Sequence, residues 1–571
     1  MTGGTALGAR AVRRLPLWLL LGLLGVLVIL PIGMLLYASV LEVEPGPGSF
    51  GGGLTLENYR ELLTPATYLA LWNSLVVAVG GTVVALVLGL SLAWLAARTD
   101  VPARWLVQLA GIVPLFVSSM VGALAWSLLA SPRQGYLNLI LRDLGIPFTI
   151  NVYTIGGLVF VFGIYYAPYV FLLTYSGLTL INPELEEAAR VHCASDRRVA
   201  TQVTFPLVSP ALLGATLLTF ALIIENFPVP ALLGTPSGLE TLPSLIYRLM
   251  NLAPPDANGA AALGTFLLVT LMLVVFAQRR MLGRREYTTV TGKGFRPRQI
   301  RLGRLRWPAV AFCVTYVVTA IVLPFGALLE LSLRENVYVG GAADLFDVSA
   351  FGLEGFQVVL GDISFRIGLY NSLVAGLLAA ILGGALHFVM ALVVHRSKLR
   401  GRNLIAYLGM MPVAIPAIVL GLGFLWTWYL LPVPLYGTLL ILVLAYVARF
   451  TPQSFGSISN SFRQIRSDLE ESALVSGAGR SRTSLEITVP LIRSSIVSAM
   501  LLLLIFSIRE LSAVIFLFTS DTRVLSVVIF DFWESGVFDR AAAVSVLYSV
   551  VLAAIALFSR RWLGVRDLSG R

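Results

Sequence analysis

Long apolar stretches recur along the chain and are separated by short polar segments. A helix that crosses a bilayer needs about 20 mostly apolar residues, so the pattern predicts an all-α, polytopic membrane protein. The predicted transmembrane helices, about twelve in number, cover residues 16–40, 71–97, 105–130, 153–179, 206–227, 262–278, 307–333, 371–395, 403–430, 438–459, 490–518 and 541–559. The apolar run from Leu15 to Val40 is too long for a cleaved signal peptide and counts as the first span.

Composition and charge agree with this interpretation. Of the 571 residues, 57% are hydrophobic and only 12% are charged, which leaves too little polar surface for several water-soluble domains. Arginine and lysine concentrate in every second loop, and basic loops remain in the cytoplasm. We therefore expect a multi-pass membrane protein with both termini in the cytoplasm. The net charge of +11 fits this topology and contact with anionic lipid, so no nucleic-acid partner is expected.

One charged segment occurs twice. The sequence LEEAARVHCASDRRVATQVTFPL, residues 185–207, returns as LEESALVSGAGRSRTSLEITVPL, residues 469–491, at a constant offset of 284. LWNSLV at residue 71 likewise returns as LYNSLV at residue 369, and LPIGMLL at residue 30 returns as LPFGALL at residue 323. The chain is therefore predicted to contain two tandem halves of six spans each. Since six is even, both halves cross the membrane in the same direction, and the repeat axis follows the membrane normal.

The repeats divide the chain into three predicted parts. These are a first half over residues 1–278, a basic cytoplasmic linker over residues 279–306, and a second half over residues 307–571. Proline falls within five predicted spans, where it predicts kinks: Pro31, Pro168, Pro324, Pro412 and Pro452.

The duplicated segment has the pattern of a short helix followed by a turn. Asn182 can cap the helix, Pro183 fits its first turn, and acidic residues suit its positive N-terminus. Small apolar residues follow and offer a face that a partner could cover. A solvated amphipathic loop is the alternative, but two copies in register favour docking.

The two segments resemble the EAA loop of permeases in binding-protein-dependent ABC importers. This resemblance implies a type I (MetI-like) permease fold in the bacterial cell (inner) membrane, with loops at residues 182–206 and 466–490. It also implies two cytoplasmic ABC ATPase subunits as partners and a periplasmic or extracellular solute-binding protein. The implied ATPase-docking residues are Glu186, Glu187, Ala188, Ala189, Cys193, Glu470, Glu471, Ser472, Ala473 and Gly477. The second copy has the family's glycine at Gly477 whereas the first has Cys193, so an asymmetry between the two docking sites is expected.

The sequence contains no phosphate-binding loop of the form G-x-x-x-x-G-K-[ST], because TGKGF at residue 291 lacks the spacing and GAGRSRTS at residue 477 lacks the lysine. His192, His387 and His395 are scattered, so no metal site is predicted. We therefore expect a non-catalytic transport subunit without a cofactor of its own, with ATP and magnesium bound by the partner ATPase.

Ionisable residues within membrane spans are rare and mark pathways or partners. Five polar residues are predicted to line the external mouth of the translocation pathway or to form its gate: Glu225, Asn226, Arg449, Arg509 and Glu510. If Glu225, Arg509 and Glu510 meet, two acids and one base give a net negative cluster suited to a cation. A structural ion pair between Arg509 and one of the glutamates is the alternative.

The substrate is the least constrained prediction. PVPALLGTP, from Pro228, and the fused double permease resemble the ferric-iron uptake group, while thiamine, polyamine and phosphonate importers share the same architecture. A secondary transporter with tandem repeats would need ion-coupling carboxylates near the midplane and gives no reason for a duplicated cytoplasmic loop. A membrane enzyme would need clustered histidine or acidic residues at one face.

Overall fold

The structure, a computed structural model, describes residues 17–44, 52–282, 299–465 and 468–562. The described residues leave out both ends of the chain, residues 45–51, residues 283–298 within the predicted linker (279–306), and residues 466–467 at the start of the second loop. Within the described residues, ten helices are long and apolar enough to cross a membrane, and two further bent pairs bring the number to twelve if each pair is one span.

The main helices of the described residues fall into two matching series of nine. The first half contains α1 (Leu17–Ser39), α2 (Pro65–Arg98), α3 (Arg104–Phe116), α4 (Ser119–Ala130), α5 (Ile155–Thr179), α6 (Pro183–Val191), α7 (Asp196–Ile224), α8 (Leu242–Met250) and α9 (Ala257–Leu282). The second half contains α10 (Gly303–Leu333), α11 (Ile363–Arg396), α12 (Arg402–Ala414), α13 (Ala417–Leu430), α14 (Leu439–Gln464), α15 (Asp468–Val475), α16 (Ser484–Arg509), α17 (Leu525–Glu534) and α18 (Phe538–Trp562). Short helices also form at Glu57–Glu61, Tyr136–Asp143 and Glu354–Gly361.

The third predicted span of each half is broken. The chain bends by 98° between α3 and α4 and by 112° between α12 and α13. Pro114 and Pro412 begin the last turn before each break, and Val117 and Ile415 are extended. Since proline removes an intrahelical donor, backbone carbonyls near each break need partners from elsewhere in the protein.

In the part of the chain that the structure describes, four spans contain a π-helical turn that ends two residues before a proline. These turns are Gly25–Ile29, Ala200–Thr204, Val318–Val322 and Ser484–Thr488, which precede Pro31, Pro206, Pro324 and Pro490. The proline ring clashes with the carbonyl four residues earlier, and a widened turn is one way to relieve this clash. Each half therefore has one π turn in its leading helix and another near the start of the span that follows its loop.

The leading helix of each half packs across the molecule. Helix α1 contacts α13 of the second half, and α10 contacts α4 of the first half. The approach of α1 to α13 is close, because a Cβ atom at Gly423 would lie 2.5 Å from the carbonyl oxygen of Pro31. The Tyr316 hydroxyl likewise donates to the Ile164 carbonyl at 2.8 Å. The two halves are thus interlocked by exchanged helices.

The described end of the predicted linker is attached to the first half. The Ile300 N–H donates to the Arg98 carbonyl at 2.7 Å, and the Leu302 N–H donates to Asp100 Oδ1 at 2.8 Å. This backbone hydrogen bond, followed by that from the Arg306 guanidinium, holds the pKa of Asp100 below its usual range. The linker therefore enters the second half beside the C-terminus of α2.

Candidate functional site

The first loop forms the short helix α6, whose N-terminus is capped as the sequence indicates: Asn182 Oδ1 accepts from the Glu184 N–H at 3.1 Å. Glu186 points into the protein and is only 6% exposed. Arg98, the last residue of α2, lies 3.1 Å from its carboxylate, and the Thr204 hydroxyl donates to Glu186 Oε1 at 2.7 Å. Two separate elements, α2 and α7, therefore hold the loop helix through one carboxylate.

The second half repeats this arrangement. Arg396, the last residue of α11, lies 2.6 Å from Glu470 Oε2, and the Thr488 hydroxyl donates to Glu470 Oε1 at 2.8 Å. Glu470 is 9% exposed. We call each set of three residues an Arg–Glu–Thr clamp. Glu186 and Glu470 were predicted to belong to the docking surface, but the structure places their carboxylates inside, where Glu186 neutralises the buried Arg98 and Glu470 neutralises the partly buried Arg396.

The outward face of each loop helix is formed by other residues. Glu187 and Glu471 are exposed, as are Ala188 and Ser472, while Ala189 and Ala473 are partly buried. Val191 belongs to the apolar face that the sequence predicts, and it and its repeat equivalent Val475 are the most exposed large apolar residues of the loops, at 81% and 90%. Each loop thus presents a carboxylate and, four residues later on the same helix, an exposed valine.

Both loop helices end in the same way. Cys193 and Gly477 have φ angles of 59° and 87°, in the left-handed region. The Ala194 N–H reaches back to the Ala189 carbonyl at 3.1 Å, and the Ala478 N–H to the Ala473 carbonyl at 3.0 Å, which is the pattern of a Schellman helix end. The backbone is therefore alike in the two loops, and the difference between cysteine and glycine leaves strain at Cys193 alone.

The predicted gate residues meet where α7 and α16 end. Glu225 follows the last residue of α7 and is buried against Arg449 of α14, with Arg449 Nη2 2.5 Å from Glu225 Oε1. Glu510 follows α16 and interacts electrostatically with both Glu225 and Arg449. The central ion pair therefore joins the two halves.

The two arginines of this cluster also bind the carbonyls near the broken spans. Arg449 Nη1 donates to the Ile415 carbonyl at 3.1 Å, next to the break between α12 and α13. Arg509 donates to the carbonyls of Leu115 and Val117 at 2.7 and 3.1 Å, next to the break between α3 and α4. The alternative interpretation, an ion pair between Arg509 and one of the glutamates, is not seen: Arg509 donates to these carbonyls, and Arg449 pairs with Glu225.

The remaining two gate residues cap the chain that follows. Asn226 Oδ1 accepts from the Val229 N–H at 3.1 Å, and Glu510 Oε1 accepts from the Ala513 N–H at 2.9 Å. Asn226 also donates to the Tyr166 hydroxyl at 3.0 Å. With Glu225 and Glu510 set against Arg449 and Arg509, the cluster has no formal net charge. The expectation of a net negative cluster is therefore wrong, because Arg449 adds a second base.

The repeated Asn-Ser pair anchors α8 and α17. The Ser74 hydroxyl accepts from the Leu242 N–H at 2.8 Å, and the Ser372 hydroxyl accepts from the Leu525 N–H at 2.7 Å. Asn73 donates to the Glu240 carbonyl at 2.9 Å, and Asn371 donates to the carbonyls of Asp521 and Arg523, both at 2.9 Å. The repeat is visible in the sequence, but its role is not, since the N–H groups that the serines accept from lie more than 150 residues away.

Helices α8 and α17 meet through aromatic residues of both halves. Tyr247 packs against Phe227 with ring centroids 4.9 Å apart and against Phe530 at 5.7 Å. Phe227 also lies 5.6 Å from Phe530. The Tyr247 hydroxyl donates to Glu534 at 3.2 Å. This aromatic contact joins the halves at the ends of α2 and α11 that lie away from the loops.

An ion pair on α8 has its charges reversed on α17. Arg248 lies 2.5 Å from Glu240, and the corresponding pair is Arg523 and Asp531 at 3.9 Å. Burial raises the pKa of Asp531 to about 6, against the lowering effect of Arg523. Within the described residues, no group of three histidine, cysteine or acidic side chains could hold a metal ion.

Comparison with known proteins identifies the family. The family described as "Binding-protein-dependent transport system inner membrane component" matches residues 62–286 and 365–566, one match in each half. The chain belongs to this family. It is the multi-pass membrane component of a binding-protein-dependent importer, and the predicted all-α permease fold is confirmed.

Two relatives match most of the chain. The ferric transport system permease protein FbpB of Actinobacillus pleuropneumoniae is 26% identical over 85% of this chain and 70% of its own length. A putative ferric transport system permease, FbpB 1 of Haemophilus influenzae, is 25% identical over 79% of this chain and 70% of its own length. A chain of a bacterial alginate ABC transporter in complex with its periplasmic protein is 18% identical, with a TM-score of 0.37, and covers 46% of this chain and 94% of its own.

Proposed function

We propose that the chain is the permease of an ATP-driven importer that passes ferric iron across the inner membrane. The observation that carries the substrate is the match to a ferric transport permease over 85% of the chain, which takes in both halves. The neutral central cluster gives no independent support for a cation. The substrate assignment therefore rests on the relatives, and the assignment as an importer rests on the family.

The loops at α6 and α15 dock two separate ATPase subunits in this proposal. Each loop presents an exposed carboxylate, at Glu187 or Glu471, beside an exposed valine, at Val191 or Val475. Apolar surface beside a charge suits a protein partner. This docking also sets which elements lie on each side of the membrane. The loops and both termini are cytoplasmic, and α8 and α17 face the external solute-binding protein. ATP and magnesium are held by the ATPase, and this chain carries no cofactor.

The geometry supports transport by movement between the halves. The central ion pair and the aromatic contact both join residues of different halves, so separating the halves on the outer side breaks them together. A ligand shifts the balance between two conformations only if it favours one of them. In this proposal, ATP bound to the docked subunits favours one arrangement of the two halves over the other.

Docking is tested by reversing the charge at Glu187 or Glu471 to lysine in the full importer. A cation at a helix N-terminus and loss of the carboxylate weaken the contact, so less ATPase should co-purify and transport-coupled ATP hydrolysis should fall, while membrane insertion persists. Glu61→Lys makes the same charge change at an exposed site near the other end of α2 and serves as the control. Normal coupling in both loop variants would show that the docking assignment is wrong.

The substrate is tested with the permease, the ATPase and the purified binding protein in vesicles. ATP-dependent uptake of labelled ferric iron is expected, with no uptake of thiamine, putrescine or a phosphonate. Uptake of one of these compounds in place of iron would refute the substrate and leave the importer assignment intact.

A further inference from the structure

Helices α2 and α11 have the same length, and the residues that anchor them to other helices occupy the same positions in each. Each contains 34 uninterrupted residues. In each helix the Asn-Ser pair occupies positions nine and ten, and the arginine of the Arg–Glu–Thr clamp is the last residue. Asn73 and Arg98 are 25 residues apart, so at about 1.5 Å per residue the two anchors are about 37 Å apart along the helix.

The anchors at the two ends of each helix bind different elements. At one end, Ser74 and Ser372 accept from the first N–H groups of α8 and α17, which are buried. At the other end, Arg98 and Arg396 hold the buried carboxylates of α6 and α15. Each long helix thus connects the loop helix of its half to the helix that makes the aromatic contact with the other half.

The chain offers a second route from loop to gate, through α7 or α16, but that route is interrupted. A π turn lies between each loop helix and the proline that follows it, at Ala200–Thr204 and Ser484–Thr488. Such turns leave backbone groups with weaker bonding and are common sites of bending. Helix α2, by contrast, is continuous and closely packed, since a Cβ atom at Gly89 would lie 2.5 Å from the Ala167 carbonyl oxygen of α5.

We propose that α2 and α11 are struts that carry movement of the docked loops to the contact between α8 and α17. The proposal rests on the proposed docking of ATPase subunits at the loops. Ser74, Asn73 and their repeat equivalents are then positioning residues, which act on transport through α8 and α17 without touching the substrate or the ATPase. One end of each helix is fixed by hydrogen bonds to the start of α8 or α17, and the other end by an ion pair with the loop helix. A shift of the loop helix therefore displaces α8 or α17 with it.

The test uses the complete importer in vesicles with Ser74→Ala and Ser372→Ala, singly and together. Each substitution leaves a buried backbone N–H without its acceptor. Ser74→Ala releases α8 from its strut, and Ser372→Ala releases α17. The ratio of ATP hydrolysis with and without the loaded binding protein should fall about tenfold, which corresponds to about 1.4 kcal/mol of coupling free energy. ATPase subunits should still co-purify, because the loops are about 37 Å away. Ser74→Thr, which retains the hydroxyl, should restore the ratio.

Two measurements separate coupling from misfolding. Ser91→Ala removes a hydroxyl from the same helix away from both anchors and should leave the ratio unchanged. Spin labels at Asn251 and Ser535, in a background without Cys193 and Cys313, report the distance between the ends of α8 and α17. ATP should change this distance in the wild type and change it less in the alanine variants.

Each outcome decides between the proposals. Wild-type stimulation and a wild-type distance change in Ser74→Ala/Ser372→Ala would refute the strut while docking stands. Failure of Ser74→Thr to restore the ratio would also count against it. If the wild-type permease retained no ATPase, docking and the strut would both be refuted.

Discussion

The ion pair between Glu225 and Arg449 gives the sharpest prediction about stability. Arg449→Met keeps most of the apolar volume of the side chain but leaves the buried Glu225 carboxylate without its partner. Removing one member of a buried pair destabilises by about 3–5 kcal/mol. Glu225→Gln keeps the shape and an oxygen that can accept from Arg449, and Arg449 retains the Ile415 carbonyl. This change should therefore destabilise by only about 1–2 kcal/mol.

The double variant Glu225→Gln/Arg449→Met should be more stable than Arg449→Met alone. A neutral buried amide without a partner is less unfavourable than an unpaired carboxylate, so removing the acid relieves part of the loss. The expected coupling free energy is about 2 kcal/mol. Higher stability of the double variant than of Arg449→Met is expected only if Glu225 and Arg449 are paired as observed.

Unfolding by denaturant in detergent micelles, followed by tryptophan fluorescence, measures the order of the midpoints. Arg482→Met is the matched control, because Arg482 forms a similar pair with Glu486 at 2.9 Å whose side chains are 71% and 61% exposed. Exposed pairs contribute about 0–1 kcal/mol, so the control should remain close to the wild type. A wild-type midpoint for Arg449→Met, or a double variant less stable than Arg449→Met, would refute the reasoning.

Two further predictions concern the loops and α17. Cys193→Gly should stabilise the first loop by about 1 kcal/mol, because glycine removes the strain of a positive φ, and Gly477→Ala should destabilise the second loop by about the same amount. Hydrogen exchange of the amides at residues 194 and 478 measures both effects. Equal exchange rates before and after substitution would contradict the assignment of strain. Because burial raises the pKa of Asp531 from about 4 to about 6, the folded protein holds this proton more tightly than the unfolded chain. The contribution of this proton to stability is present at low pH and is lost as the pH rises from about 4 to about 6. The thermal unfolding temperature should therefore fall over this pH range, and Asp531→Asn should reduce the fall. An equal fall in the variant would count against the raised pKa.

The sequence alone was sufficient for the spans, the duplication and the positions of the loops. These features depend on hydropathy and repeated motifs, which are local properties of the chain. The helix ends at Cys193 and Gly477 were also predictable, since a short helix must end where its apolar pattern stops and the backbone turns. The family match later confirmed the permease fold and the importer assignment.

Which side chains meet was decided by the tertiary structure. Glu186 and Glu187 are neighbours on one short helix, yet the first faces Arg98 and the second faces outward, because the rotation of that helix is set by its packing on α2 and α7. Glu225 pairs with Arg449, 224 residues away, and not with Arg509. That choice depends on the bends in the third span of each half, whose freed carbonyls engage Arg509 and Arg449. Hydropathy cannot specify a bend or a helix rotation, since both follow from the shape of the neighbouring helices.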